Sequence, residues 1–181
     1  MTFGWLNKKP GGRVVWSLPA GNPLMNRERP ATIEAEVLVI GYGNTLRGDD
    51  GVGPRVVEAI GTLGLPGVRT LICPLLTPEL ADPISRAEKV IFVDAAMDSP
   101  KEVQWRRLQP NDTSQIMAHA ADPRTMLALA RDLFGHAPQA WWLTIPAMDF
   151  GFREDFSPAV QRDFEVAIDK IRIFCGSPAM N

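Results

Sequence analysis

Cysteine is scarce in this 181-residue chain: Cys73 and Cys175 are the only two, far apart and without CxxC spacing. A disulfide framework and a cysteine-based structural zinc site are therefore excluded, and a reducing compartment, the cytoplasm, is expected. Long apolar runs are also missing; none approaches the ~20 residues that cross a bilayer. The first ten residues place Lys8 and Lys9 after a short apolar stretch, with no apolar core and cleavage site following, so no export signal and no membrane association are expected. Neither sign of charge dominates. A net charge of -2 and a pI near 5.7 give no electrostatic reason to bind a polyanion, so no nucleic-acid partner is expected. An HExxH helix, a GxSxG elbow and the Asp-Thr/Ser-Gly of paired-aspartate proteases are all lacking, so any peptidase chemistry must be unconventional.

What is present is the composition of an ordinary globular protein, 45% hydrophobic and 22% charged, at a length that suits one core. Residues 1–35, with Gly11-Gly12, Gly21-Asn22-Pro23 and no sustained period, read as an irregular leader, although Trp5 and Trp16 suit a segment that docks on something. Residues 36–175 read as a single α/β domain and 176–181 as a tail.

Within the domain strand and helix signals alternate. Glu36–Gly41 is a short β-branched run suited to burial on both faces. Val52, Val56, Ile60 and Leu63 follow at helical spacing, stopped by Gly61, Gly64 and Pro66. Val68–Cys73 is a second strand, and Thr77-Pro78 starts a helix reaching roughly Ala87. Lys89–Asp94 is a third strand, and Glu102–Leu108 an edge strand of open direction, because its charges would be costly in a covered centre. Asp122-Pro123 starts a helix with Met126, Ala130 and Leu133 inward and Gly135 as its stop. Ala140–Pro146 is a fifth strand. Ser157-Pro158 opens a last helix with Val160, Phe164, Ile168, Ile171 and Phe174 or Cys175 inward. The pattern predicts a three-layer α/β/α sandwich on a mainly parallel, twisted sheet of about five strands.

Ligands of such sheets bind beyond the carboxyl ends of the strands. Asp50 follows the first strand, Asp94 ends the third, and His119 lies in the loop before the helix that begins at Asp122. Two carboxylates and an imidazole suit a divalent cation such as nickel or zinc with a position left open. His136, the other histidine, lies beyond a helix roughly 20 Å long and is too far away. Each residue also has a plainer interpretation: Asp49-Asp50-Gly51 as a helix cap, Asp94 as a loop cap, His119 as a hydrogen-bonded surface residue. Cys73 suits a buried structural thiol or, at the same sheet edge, a nucleophile or soft ligand. Gly41-Tyr-Gly43 resembles the start of a dinucleotide-binding turn, but the third glycine of GxGxxG is replaced by Leu46.

Taken together, Gly41-Tyr-Gly-Asn44, Gly48-Asp-Asp50-Gly51-Val-Gly53, Val93-Asp94-Ala95 and His119 resemble the hydrogenase maturation endopeptidase family, from about Val37 to Phe174. The resemblance implies a cytoplasmic protease that removes the carboxyl-terminal extension of a [NiFe]-hydrogenase large-subunit precursor once nickel has been inserted. It maps the family's three metal-contacting positions onto Asp50, Asp94 and His119, the first being glutamate in many members. The metal would be nickel held by the substrate, or zinc or another divalent cation at the same site. Hydrolysis would use a metal-bound water, or Asp50 or Asp49 as general base. Many relatives carry an aspartate and a glycine-rich stretch after the second strand; here Cys73-Pro-Leu-Leu-Thr-Pro-Glu79 stands instead, which leaves the identity of the substrate open. Two other functions fit less of the pattern: a nickel-dependent chaperone that recognises the precursor without cutting it, and a nucleotide-binding oxidoreductase.

Overall fold

The computed structural model describes residues 35–97, 102–112 and 122–176. Five strands form one sheet: β1 (Ala35–Tyr42), β2 (Val68–Cys73), β3 (Ala87–Ala96), β4 (Gln104–Leu108) and β5 (Gln139–Pro146), in the order β2-β1-β3-β5-β4. All neighbours are parallel except β4, which runs antiparallel to β5 at the edge. The charges of β4 thus sit where solvent reaches them, as expected, and its open direction is settled.

Helices α1 (Val52–Thr62) and α4 (Pro158–Gly176) cover one face, and α2 (Ala81–Ser85) and α3 (Pro123–Phe134) the other. The three-layer sandwich predicted from the alternation of strands and helices is the observed architecture. The central strands are buried on both sides, so their runs are continuously apolar rather than alternating. Val37, Val39, Ile91, Val93, Leu143 and Ile145 meet α1 and α4, while Leu38, Ile40, Val90 and Phe92 meet α2 and α3. Phe174 of α4 packs edge-on against Trp141, with ring centroids 4.6 Å apart, and also touches Trp105, which clamps the last helix over β5 and β4.

Helix ends follow local chemistry. Asp122 accepts a hydrogen bond from the Arg124 amide at 2.8 Å, Pro123 fills the first turn, and Gly135 closes α3 in the left-handed region at φ 74°. The helix expected from Thr77 to about Ala87 is much shorter. A single 3₁₀ turn, Pro78–Leu80, leads into α2, which ends at Ser85. Ala87 is drawn instead into β3, where it pairs with Ala35. Leu133, expected inward, is exposed, because the buried face of α3 centres between Met126 and Leu127 and leaves Leu133 at its margin. The domain limits shift by one residue at each end, since Ala35 belongs to β1 and Gly176 to α4. The remainder of the expected leader and tail lies outside the described residues.

Candidate active site

The turn from β1 into α1 carries the acidic pair on one 3₁₀ turn, Gly48–Gly51, at the carboxyl end of the sheet. Its glycines are required by close packing. Gly43 has φ 135°, and a Cβ there would run into the Asp50 carbonyl oxygen. A Cβ on Gly53 would lie 2.5 Å from the Val93 carbonyl oxygen and 2.7 Å from that of Tyr42. The start of α1 is therefore pressed onto the ends of β1 and β3, and any side chain would push it off.

The two aspartates of the pair face different environments. Asp49 is fully buried, and its carboxylate accepts three backbone hydrogen bonds, from Ser157 at 2.7 Å, Asp149 at 3.0 Å and Met148 at 3.1 Å. Burial acts to raise its pKa, but these three amides more than offset it and hold the carboxyl below its ordinary range. Its own amide donates to the Asp149 carbonyl at 2.9 Å, and the Gly48 amide to that of Arg153 at 2.7 Å. Asp49 therefore anchors the turn to the segment between β5 and α4. To act as a general base, the other role expected of it, it would have to release amide donors.

Asp50 is half-buried and points back over the turn, where its Oδ2 accepts from the Asn44 amide at 2.9 Å. Asn44 in turn accepts from the Leu46 amide at 3.0 Å. Asp94 lies close enough for the charge of Asp50 to act on it. Burial pushes the Asp94 carboxyl up to about 7 and Asp50 adds to the rise, against hydrogen bonding from the Tyr42 hydroxyl and the Ala95 amide. A buried carboxyl raised by a neighbouring carboxylate is a group that a bound cation would favour in its ionised form.

Strand register places Asp94 in a polar row across the sheet. Tyr42 pairs with Cys73, Asp94 with Thr144, and Thr144 with Gln104, all on the face of α2 and α3. Tyr42 follows Gly41, the partner of Val93, and so sits beside Asp94. Burial and the neighbouring Asp94 raise the pKa of the Tyr42 phenol, which stays protonated and donates. The Trp142 indole N–H approaches this hydroxyl without reaching hydrogen-bond geometry, and neither it nor the buried Thr144 hydroxyl has a partner among the described residues. Tyr42 and Thr144 were not singled out from the sequence. The available signal was the position of the chain's sole tyrosine, one residue past Gly41 and in phase with Asp94.

The third expected metal-contacting position, His119, lies outside the described residues, and among those described no three His, Cys, Asp or Glu side chains group closely enough to hold an ion. His136 Nε2 lies 3.3 Å from the Ala87 carbonyl oxygen, at the amino end of β3 and opposite Asp94, where its separation from the site was expected. The Cys73 thiol donates to the Gly41 carbonyl at 3.9 Å, and burial raises its pKa, leaving little thiolate for nucleophilic work.

No helix among the described residues is long and apolar enough to cross a membrane. No family model and no curated protein sequence matches the chain. Solved structures do. A hydrogenase 2 maturation peptidase from a Thaumarchaeota archaeon is similar at 25% identity and a TM-score of 0.57, over 78% of this chain and 98% of that one. The [NiFe] hydrogenase maturation protease HycI of Thermococcus kodakarensis is similar at 20% identity and 0.63, over 79% and 94%. The hydrogenase maturating endopeptidase HybD of E. coli is similar at 20% and 0.59, over 75% and 89%. The chain thus has the fold of the hydrogenase maturation proteases, the family that its sequence resembles.

Proposed function

We propose that this protein is a cytoplasmic processing endopeptidase that removes the carboxyl-terminal extension of a nickel-loaded [NiFe]-hydrogenase large-subunit precursor. The reading is supported by Asp50 just after β1 and Asp94 near the end of β3, close enough for the charge of Asp50 to act on Asp94, on the fold shared with the maturation proteases. Nickel belongs to the substrate. Asp50, Asp94 and His119 would touch it only after loading, so the unloaded precursor would bind more weakly and escape cleavage. Zinc or another divalent cation would suit the same donors, which is a reason to test metals separately.

Asp50 is the better-placed base, being half-buried with a single backbone donor on Oδ2, whereas Asp49 is committed to three amides. Tyr42, whose hydroxyl hydrogen-bonds to Asp94, would orient it. A protein substrate also suits the rim of the site: Leu46, Leu75 and Met97 are exposed there, Met148 is 85% exposed and Phe152 89%, apolar surface of a kind that commonly marks a docking face.

Intact-mass measurement tests the proposal. The nickel-loaded precursor should lose its extension on incubation with this protein and the nickel-free precursor should not; a loaded precursor that keeps its full mass would sink the endopeptidase. Asp50→Asn should slow cleavage by about 100-fold or more while the complex still forms. A non-catalytic checkpoint, the second reading, would show association and no cleavage even with Asp50 intact.

A further inference from the structure

Towards the β4 edge of the sheet lies a recess, a cavity of about 300 Å³ lined by Arg106, Arg107, Leu108, Gln109, Arg124 and Trp142. Arg106 and Arg124 are pre-positioned around it. The Arg106 guanidinium lies 5.4 Å from the centre of the Trp142 ring, and Arg124 Nε donates to the Gln109 carbonyl at 3.3 Å, the one side-chain hydrogen bond of Arg124 among the described residues. No carboxylate pairs with Arg106, Arg107 or Arg124 among the described residues. In a chain of net charge -2, a recess whose arginines have no carboxylate partner among the described residues is a local feature rather than a reflection of overall charge.

We infer that this recess takes a carboxylate side chain of the extended peptide segment that the site processes, one residue class that the substrate must supply close to its cleavage point. The inference rests on the endopeptidase reading for its occupant. Trp142 precedes Thr144 by two residues, and Thr144 pairs with Asp94. Arg106 pairs with Trp142 on the next strand. Two residues along the strands and two strands across put the recess roughly 12 Å from Asp94, the reach of about four extended residues. Beside it β4 is the edge strand of the sheet among the described residues, and an extended chain can pair with such an edge through its backbone. A planar fork on a tryptophan face, with Leu108 and Trp142 as apolar floor, suits a side-chain carboxylate on a peptide. Three arginines are too few for the run of phosphates in a nucleic acid.

The test uses the full chain and a labelled peptide of about ten residues that carries two glutamates, with a matched peptide carrying glutamines in their place. Anisotropy titration at low salt should show the acidic peptide binding about 10-fold more tightly. Arg106→Gln with Arg124→Gln should abolish that preference with an unchanged melting temperature, and Arg106→Lys with Arg124→Lys should restore part of it. Equal binding of the two peptides would overturn the inference, as would a preference that survives the double glutamine variant, or displacement of the acidic peptide by a short oligonucleotide at lower concentration than by the peptide itself. Cleavage of the loaded precursor is measured beside it. Cleavage without peptide preference would defeat this inference alone, and peptide preference without cleavage would defeat the endopeptidase alone. Where both hold, the double glutamine variant should raise KM by about 10-fold and leave kcat within about 2-fold.

Discussion

Asp49→Ala should lower the stability of the fold by about 3–5 kcal/mol, the largest loss expected from any one residue of the acidic turn. The change strips three backbone amides, those of Met148, Asp149 and Ser157, of a shared acceptor that is fully buried. Asp49→Asn separates charge from shape. Its carbonyl oxygen can still serve the two amides now on Oδ2, but its amide group then faces the Ser157 N–H, so a loss of about 2 kcal/mol is expected. The sign of the pH effect follows from the lowered pKa of this carboxyl. A depressed carboxyl stabilises the fold above its unfolded value, near 3.9, and that contribution is lost as pH falls through the folded value. Urea titrations of the native chain and both variants, at neutral pH and at successively lower pH below the unfolded value, check this: the gap between native chain and variants should narrow as the pH falls. A stable Asp49→Asn protein that had lost all cleavage would instead make Asp49 the base.

Asp94→Asn should do the opposite to stability and remove activity. Burial and the charge of Asp50 raise the Asp94 carboxyl to about 7, so the folded chain holds a proton that the unfolded chain has released by about pH 4. A raised carboxyl contributes its stability below the unfolded value and loses it as pH rises through the folded one. The metal-free protein should therefore weaken between about pH 4 and pH 8, and Asp94→Asn, which has no proton to lose, should be more stable by about 2–4 kcal/mol at pH 8. Near pH 4 the two should be nearly equal. Cleavage of the loaded precursor should fall by at least about 100-fold, because an amide is a poor metal ligand where a carboxylate is needed. Thermal melts across this pH range decide the matter, and a melting curve for Asp94→Asn that tracks the native chain at every pH would show that Asp94 carries no such strain.

Much of this was legible in the residues because the strongest signals are local. Runs such as Val37–Ile40 and Val90–Val93 can hardly be anything but strands buried on both faces, and Asp122-Pro123 with Gly135 marks both ends of α3. Asp50 and Asp94 could be placed at one edge because parallel strands all end there. Asp49 was harder. Its three donors come from the segment after β5, about a hundred residues on, and adjacent aspartates look alike until that segment is in place. The helix after Thr77 was overextended because Ala87 suits a helix as well as a strand, and only its pairing with Ala35 decides. The placement of Tyr42 and Thr144 beside Asp94 depends on register across three strands, which no local pattern carries.

The tie between Asp49 and Ser157 also bears on how the chain acquires its activity in time. The acidic turn belongs to the first βα unit, yet its anchor is at the very start of the last helix. Loop closure over such a distance is among the slowest and costliest contacts to make, so it belongs to the late side of the folding barrier. A chain emerging from the ribosome could assemble β1, α1 and β2 early and still present the acidic turn unfixed. Hydrolytic competence would then wait on the segment after β5, long after the turn that carries the acidic pair has been made.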